Sequence, residues 1–193
     1  RDLLATAPPN LIAIGGLSGT GKSTVARLLA HRLGRMRWPL VLRSDVIRKQ
    51  LQGVAPTMRL GPDAYRRSST AAVYHHLHER AATLLHTGRT VIADATFLDP
   101  VERARIENLA AELHVPFQGI WLDAPSHILE RRIAGRCGDA SDADLDVLTK
   151  QFERETGTIS WATFDASGGA DRTASQICKH VAVRHELFDK SDR

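Results

Sequence analysis

Cysteine is nearly missing from this chain: Cys137 and Cys178 stand alone in 193 residues. Two thiols cannot form a disulfide framework, and neither has metal-ligand spacing, so a stapled secreted scaffold and a cysteine-based zinc module are both excluded. A reducing cytoplasm is the compartment expected. Long apolar runs are also lacking. Near the start there is only Leu11 to Ile14, far too short to span a bilayer, which argues against a signal sequence or an anchor and for a soluble protein. Aromatic residues make up 5% of the chain, and the first 67 residues contain only Trp38 and Tyr65. Base-stacking surfaces need more than that, which counts against polynucleotide binding. There is no internal repeat and no low-complexity tract. Position 1 is not Met, so a trimmed chain or a piece of a longer one is expected, with 1–10 as linker or tail and 189–193 as a tail.

What is present suffices for one domain, expected over 11–188. With 42% hydrophobic residues, a chain of this size can bury a core without disulfides or metal. The net charge of +4 is unevenly spread: residues 1–67 carry twelve Lys or Arg against three Asp, a net of +9, leaving −5 for the remainder. A basic half of this kind suits anionic ligands.

Short apolar runs alternate with helical patterns, the rhythm of a parallel sheet built from βαβ units. Strands are expected at Leu11–Gly15, Pro39–Arg43, Thr90–Asp94, Phe117–Leu122 and Ala162–Asp165. Helices are expected over Lys22–Leu33, after Ser44, over Pro62–His86, over Pro100–Leu113, from Ser126 towards Arg136, from near Ser141, and from near Arg172. Ser126 and Ser141 suit N-caps, Asp99-Pro100 is a cap-then-proline start, and Gly34 and Gly88 sit where helices should stop.

The run Gly16-Leu17-Ser18-Gly19-Thr20-Gly21-Lys22-Ser23-Thr24 fits the Walker A phosphate-binding loop, and it lies between an apolar strand and a helical pattern, where such a loop must lie. Its glycines let successive backbone N–H groups face a phosphate, and the helix behind it adds a partly positive N-terminus. Lys22 reaches the β- and γ-phosphates, and Ser23 offers a hydroxyl to Mg²⁺. A glycine-rich turn with no ligand is the bland alternative.

Other strand ends carry chemistry too. Strand two leads into Arg43-Ser44-Asp45-Val46-Ile47-Arg48 and strand three into Asp94-Ala95-Thr96. Asp at such a position can take a proton from an attacking hydroxyl or hold Mg²⁺ through water. Asp45 also fits a helix N-cap, and Asp94 a solvated strand end. Asp123, close before Pro125, reads as turn chemistry. Arg132 and Arg136 are four apart and would share a helix face, either in a lid over a nucleotide (about 131–150) or as a solvated basic face. His75, His76 and His78 read as a polar helix face, without the acidic or Cys partner that a metal site needs.

Together the phosphate loop, Asp45 with Arg48, Asp94 and the Arg132/Arg136 pair resemble the P-loop kinases of the polynucleotide-kinase and zeta-toxin type, the AAA-33-type group. Gly15 to Thr24, Arg43 to Lys49, Gly119 to Leu122, Gly138 to Ala143 and Asp165 to Gly168 look like the kinase domain found fused behind an aminoglycoside-phosphotransferase-like domain. That resemblance covers nearly the whole chain. It implies an α/β three-layer P-loop fold, a five-stranded parallel sheet flanked by helices with a helical lid. It also implies Asp45 as general base, Arg48 and Asp94 on the acceptor side, Arg132 near the base and Arg136 on the phosphates. The expected function is transfer of the γ-phosphate of ATP, with Mg²⁺, to a hydroxyl of a small anionic or sugar-like molecule. A polynucleotide 5′-hydroxyl kinase and a nucleotide-binding regulatory module of a fused partner are the alternatives.

Overall fold

A computed structural model of the chain describes residues 8–34, 39–135 and 141–191. Five short runs form one parallel sheet: β1 (Leu11–Gly16), β2 (Leu40–Arg43), β3 (Val91–Asp94), β4 (Phe117–Asp123) and β5 (Ala162–Asp165), in the order β2-β3-β1-β4-β5. Seven helices connect them among the described residues: α1 (Lys22–Arg32), α2 (Ser44–Leu51), α3 (Arg67–His86), α4 (Pro100–Glu112), α5 (Ser126–Ala134), α6 (Leu145–Phe152) and α7 (Ala170–Ser191).

Both faces of the sheet are covered, so the central strand β1 is apolar throughout rather than alternating. Along β1, Leu11 and Ala13 pack with Ile47 of α2 and with Val73, Leu77, Ala81 and Ile106 of α3 and α4. Ile12 and Ile14 turn the other way, onto Val25 and Leu29 of α1, Leu129 of α5, Leu148 of α6 and Ile177 of α7. Helices on both faces of a parallel sheet make the three-layer α/β architecture that the sequence pattern implies. Strand order reverses at β1, between β3 and β4, and open parallel sheets place ligands at the carboxyl end of such a switch point.

Several boundaries differ from the expected ones. The segment before His86 is not one helix: Pro62–Tyr65 forms a 3-10 turn, and Arg66, extended at ψ 156°, separates it from α3. Helix α5 stops at Ala134 with Gly135 as C-cap; Arg136, expected to share a helix face with Arg132, lies outside the described residues. Pro125, not Ser126, caps that helix. Asp144, not Ser141, caps α6, accepting from Val147 N–H at 3.0 Å. The stretch before it is held extended by partners elsewhere. Helix α7 starts at Ala170. Asp99 does cap α4, accepting from Val101 N–H at 2.9 Å.

Candidate active site

The loop between β1 and α1 is folded by its own backbone. Gly16, Gly19 and Gly21 have φ of 133°, 88° and 88°, values that side-chain-bearing residues rarely adopt. Space is equally restrictive, since a Cβ on Gly16 would lie 2.4 Å from the Leu122 carbonyl and one on Gly19 2.9 Å from that of Leu129. Gly21 caps α1 in the left-handed conformation, and the first turn of α1 has no acidic residue. The helix therefore presents unneutralised N–H groups to the loop, as an anion site requires. Leu17 closes the loop from within: its carbonyl accepts from the Thr20 hydroxyl and from Lys22 Nζ, both at 2.8 Å. Ser18 to Thr24 line the cleft, while Gly16 ends the strand and Leu17 supplies this inner carbonyl.

Asp94, at the end of β3, is 4% exposed. It receives the Ser23 hydroxyl, feels Lys22 close by, and lies 3.4 Å from Arg43 Nε. Burial pushes its carboxyl upward, Asp45 adds to that, and Lys22, Ser23 and Arg43 oppose it. The carboxylate is thus hydrogen-bonded to the phosphate loop, and it is no solvated strand end. Ser23 and Asp94 together form a hard-oxygen donor pair suited to Mg²⁺. Asp45 is the second residue of α2, whose N-cap is Arg43, so it does not cap the helix. It lines the cleft, close enough to Asp94 and Tyr65 to raise the pKa of both.

Arg48 lies one turn further along α2 and is buried at 8% exposure. Its Nη1 donates to the Ala64 carbonyl at 2.6 Å and to Thr70 Oγ1 at 3.4 Å, while its guanidinium stacks on the Tyr65 ring at 4.8 Å. Its Nε is buried without a partner. Tyr65 in turn donates to Asp142 at 2.8 Å, and burial followed by this bond drives its hydroxyl pKa upward. Asp142 also accepts from Leu60 N–H at 3.0 Å and pairs with the buried Lys49 at 2.9 Å. Burial alone would raise the Asp142 carboxyl, but the bonds from Lys49, Tyr65 and Leu60 outweigh it and hold the group below its ordinary range.

Across the cleft, Arg132 fastens the loop after β5 to the phosphate loop. Its guanidinium donates to the carbonyls of Ala166 (2.8 Å), Ser167 (3.1 Å) and Gly168 (2.8 Å), and more distantly to that of Gly19 (3.5 Å). These bonds use the edges of the group, so its planar face is what remains for an aromatic base. From α6, Gln151 accepts from Ser18 N–H at 2.8 Å and donates to Ser18 Oγ at 3.0 Å.

One cleft of about 1170 Å³ thus gathers Ser18 to Thr24, Asp45, Arg48, Asp94 and Arg132. Single-ligand pockets usually measure about 300–1000 Å³, and this cleft is somewhat larger. Sequence reasoning assigned no role to Lys49, Tyr65, Asp142 or Gln151. The three histidines stay apart from the cleft, and His75 and His76 both lie against Glu79, at 3.3 and 3.2 Å, an acidic neighbour the sequence reading overlooked. Among the described residues no group of three His, Cys, Asp or Glu side chains could hold a metal ion, and no helix is long and apolar enough to cross a membrane.

The fold is shared with solved kinases. A gluconokinase from Sinorhizobium meliloti 1021 superposes with a TM-score of 0.67 at 19% identity, over 96% of this chain and 98% of that one. The Mycobacterium tuberculosis APS kinase CysC, solved in complex with AMPPNP and APS, gives 0.69 at 20% identity, over 91% and 98%. In sequence, the chain is 30% identical over 177 residues to the uncharacterised protein Rv2004c of M. tuberculosis and equally to Mb2027c of M. bovis. That alignment takes in 90% of this chain but 35% of each relative, so the chain spans about a third of their length. The model of the AAA domain family AAA_33 matches residues 11–158, from β1 past α6, and the chain belongs to that family.

Proposed function

We propose that the chain is an ATP- and Mg²⁺-dependent phosphotransferase acting on a hydroxyl of a small anionic or sugar-like molecule. One observation carries this reading: Asp45 faces the same cleft as the phosphate loop, beside a buried arginine, in a space large enough for a nucleotide and a second molecule. A module that only bound or hydrolysed ATP would have no need of that second space.

Loop N–H groups from Ser18 to Thr24 and Lys22 hold the triphosphate; to do so, Lys22 leaves the Leu17 carbonyl it now touches. Ser23 and Asp94 would hold Mg²⁺, which when bound would supply positive charge to offset that of the phosphates. Asp94, which the family resemblance puts on the acceptor side, is assigned here to the metal because Ser23 donates to it. Asp45 takes the proton of the acceptor hydroxyl as its oxygen attacks the γ-phosphorus and ADP departs. Arg48 holds an anionic or hydroxylated part of the acceptor through its unpartnered Nε, and the face of Arg132 stacks on the base. Arg136 retains the phosphate-side role implied by the resemblance. In the longer relatives this activity would sit beside a further domain, for which the aminoglycoside-phosphotransferase-like type is the proposal.

The test is ATP turnover by the purified chain against a panel of sugars, sugar acids, hydroxylated amines and an oligonucleotide with a 5′-hydroxyl. Turnover stimulated by a member of the small-molecule set supports the proposal. Stimulation by the oligonucleotide alone would replace it with a polynucleotide kinase. ATP binding without stimulation by any acceptor would leave a regulatory nucleotide module.

A further inference from the structure

The segment 141–152 touches both halves of the cleft. At its start, Asp142 is tied to the acceptor wall by Lys49, the Leu60 amide and Tyr65. At its end, Gln151 makes two hydrogen bonds to Ser18, a residue of the phosphate loop. Between these anchors α6 is a rigid two-turn element seated in the core by Leu148.

From this we infer that residues 141–152 form a tie bar coupling nucleotide binding to the shape of the acceptor wall, with Asp142 and Gln151 as positioning residues for the transfer reaction. The inference rests on the phosphate loop being the nucleotide site. Both anchors are specific. Lys49 and Asp142 are 1% and 7% exposed in their side chains, and a buried ion pair tolerates little displacement because separating the charges leaves each unsolvated. Gln151 satisfies a loop amide and a loop hydroxyl with one rigid group, so any reordering at Ser18 is felt by α6. From Asp142 the connection continues through Tyr65, whose ring carries the Arg48 guanidinium. A triphosphate bound to the loop acts on Ser18, and through the Ser18–Gln151 anchor on the wall that Asp142 holds.

Thermodynamic coupling of this kind is reciprocal and can be read from either end. The probe is Mg·AMPPNP, and the readout is amide hydrogen exchange in a peptide containing Leu60, whose N–H bonds Asp142. In the wild-type chain, saturating Mg·AMPPNP should slow that exchange by about fivefold or more, the lower end of ordinary coupling. In Gln151→Leu the protection by ligand should vanish, although the mutation lies far from Leu60 and the free protein exchanges there as before. From the other end, Lys49→Met combined with Asp142→Leu, which replaces the ion pair by apolar groups and also removes the bonds from Leu60 and Tyr65, should weaken Mg·AMPPNP binding by about fivefold in protein that circular dichroism shows to be folded. Wild-type protein that bound Mg·AMPPNP without protecting Leu60, or a Gln151→Leu variant protected as fully as wild type, overturns the coupling alone. A wild-type chain that bound no Mg·AMPPNP overturns the nucleotide site as well.

Discussion

In the proposed reaction Lys22 and Asp45 act on opposite sides and should fail differently when removed. The partner proposed for Lys22 is the triphosphate, so Lys22→Ala should remain folded and lose tight nucleotide binding, which calorimetry measures directly. Asp45 is the proposed general base, and such assistance is worth about 10²–10⁴ in rate. Asp45→Asn should therefore bind Mg·AMPPNP with wild-type affinity while transfer to the acceptor falls by roughly that factor; normal turnover would remove Asp45 from the chemistry. Arg132 presents a third pattern. Its edges hold three carbonyls of the 166–168 turn, so Arg132→Ala should weaken nucleotide affinity about tenfold, equal to about 1.4 kcal/mol, with less effect on kcat. Arg132→Lys should restore little of this, because an ammonium can neither span those carbonyls nor offer a flat face to a base. Equal affinities for all three proteins in an ATP titration would contradict the assignment.

Among the elements, the phosphate loop depends most on its neighbours. Gly16 lies at φ 133° with its Cβ position 2.4 Å from the Leu122 carbonyl on β4, so Gly16→Ala would have to part β1 from β4. A loss of roughly 2 kcal/mol or more is expected, typical of strained backbone sites, together with loss of Mg·AMPPNP binding. Gly168 has open space around its Cβ position, and Gly168→Ala should change stability by about 0.5 kcal/mol or less. Denaturant unfolding of the two variants makes the comparison. The same scale separates what could be read from the sequence from what could not. The strands were legible because a two-sided parallel sheet makes compact apolar runs, and the loop because its glycines, Lys22 and Ser23 are contiguous. The starts of α3 and α6 were not. Asp142 is bound by Lys49, Leu60 and Tyr65, which lie 93, 82 and 77 residues away, and Gln151 meets Ser18 across 133. Pairings of that range leave no local period, so a helix start near Ser141 is favourable by local signals, whereas in the folded chain Asp142 is bound to Lys49, Leu60 and Tyr65. The bond from Ser23 to Asp94 was hidden for a related reason: the place of Asp94 at a strand end is local, but that bond depends on which strands are neighbours.

For the molecule as a whole, a half-buried histidine and a buried aspartate give the pH dependence of stability opposing slopes. His78 on α3 has its Nε2 buried without a partner, and burial, with Arg105 and His75 adding to it, lowers its pKa from 6.5 to about 4. Between those values the unfolded chain binds more protons than the native one, so stability is lost as pH falls from 6.5 towards 4. Asp94 acts in the other sense. Its carboxyl is raised by burial, so the native state binds more protons than the unfolded state above the ordinary Asp pKa, and stability declines as pH rises through that window. His78→Leu should remove the first slope, making the protein more resistant to acid by roughly 1 kcal/mol at pH 5 once the partial exposure of the ring is allowed for. Asp94→Asn should remove the second, raising the Tm of the ligand-free protein at pH 7 above wild type. Because Mg²⁺ at Ser23 and Asp94 would favour the ionised carboxylate, Mg·AMPPNP should stabilise the wild type strongly and Asp94→Asn hardly at all, reversing their order of Tm. Thermal melts of the three proteins from pH 4 to 8, with and without Mg·AMPPNP, decide it. An Asp94→Asn variant less stable than wild type without ligand would mean that its bond from Ser23 outweighs the cost of burying the charge, and the metal assignment would lose its energetic support.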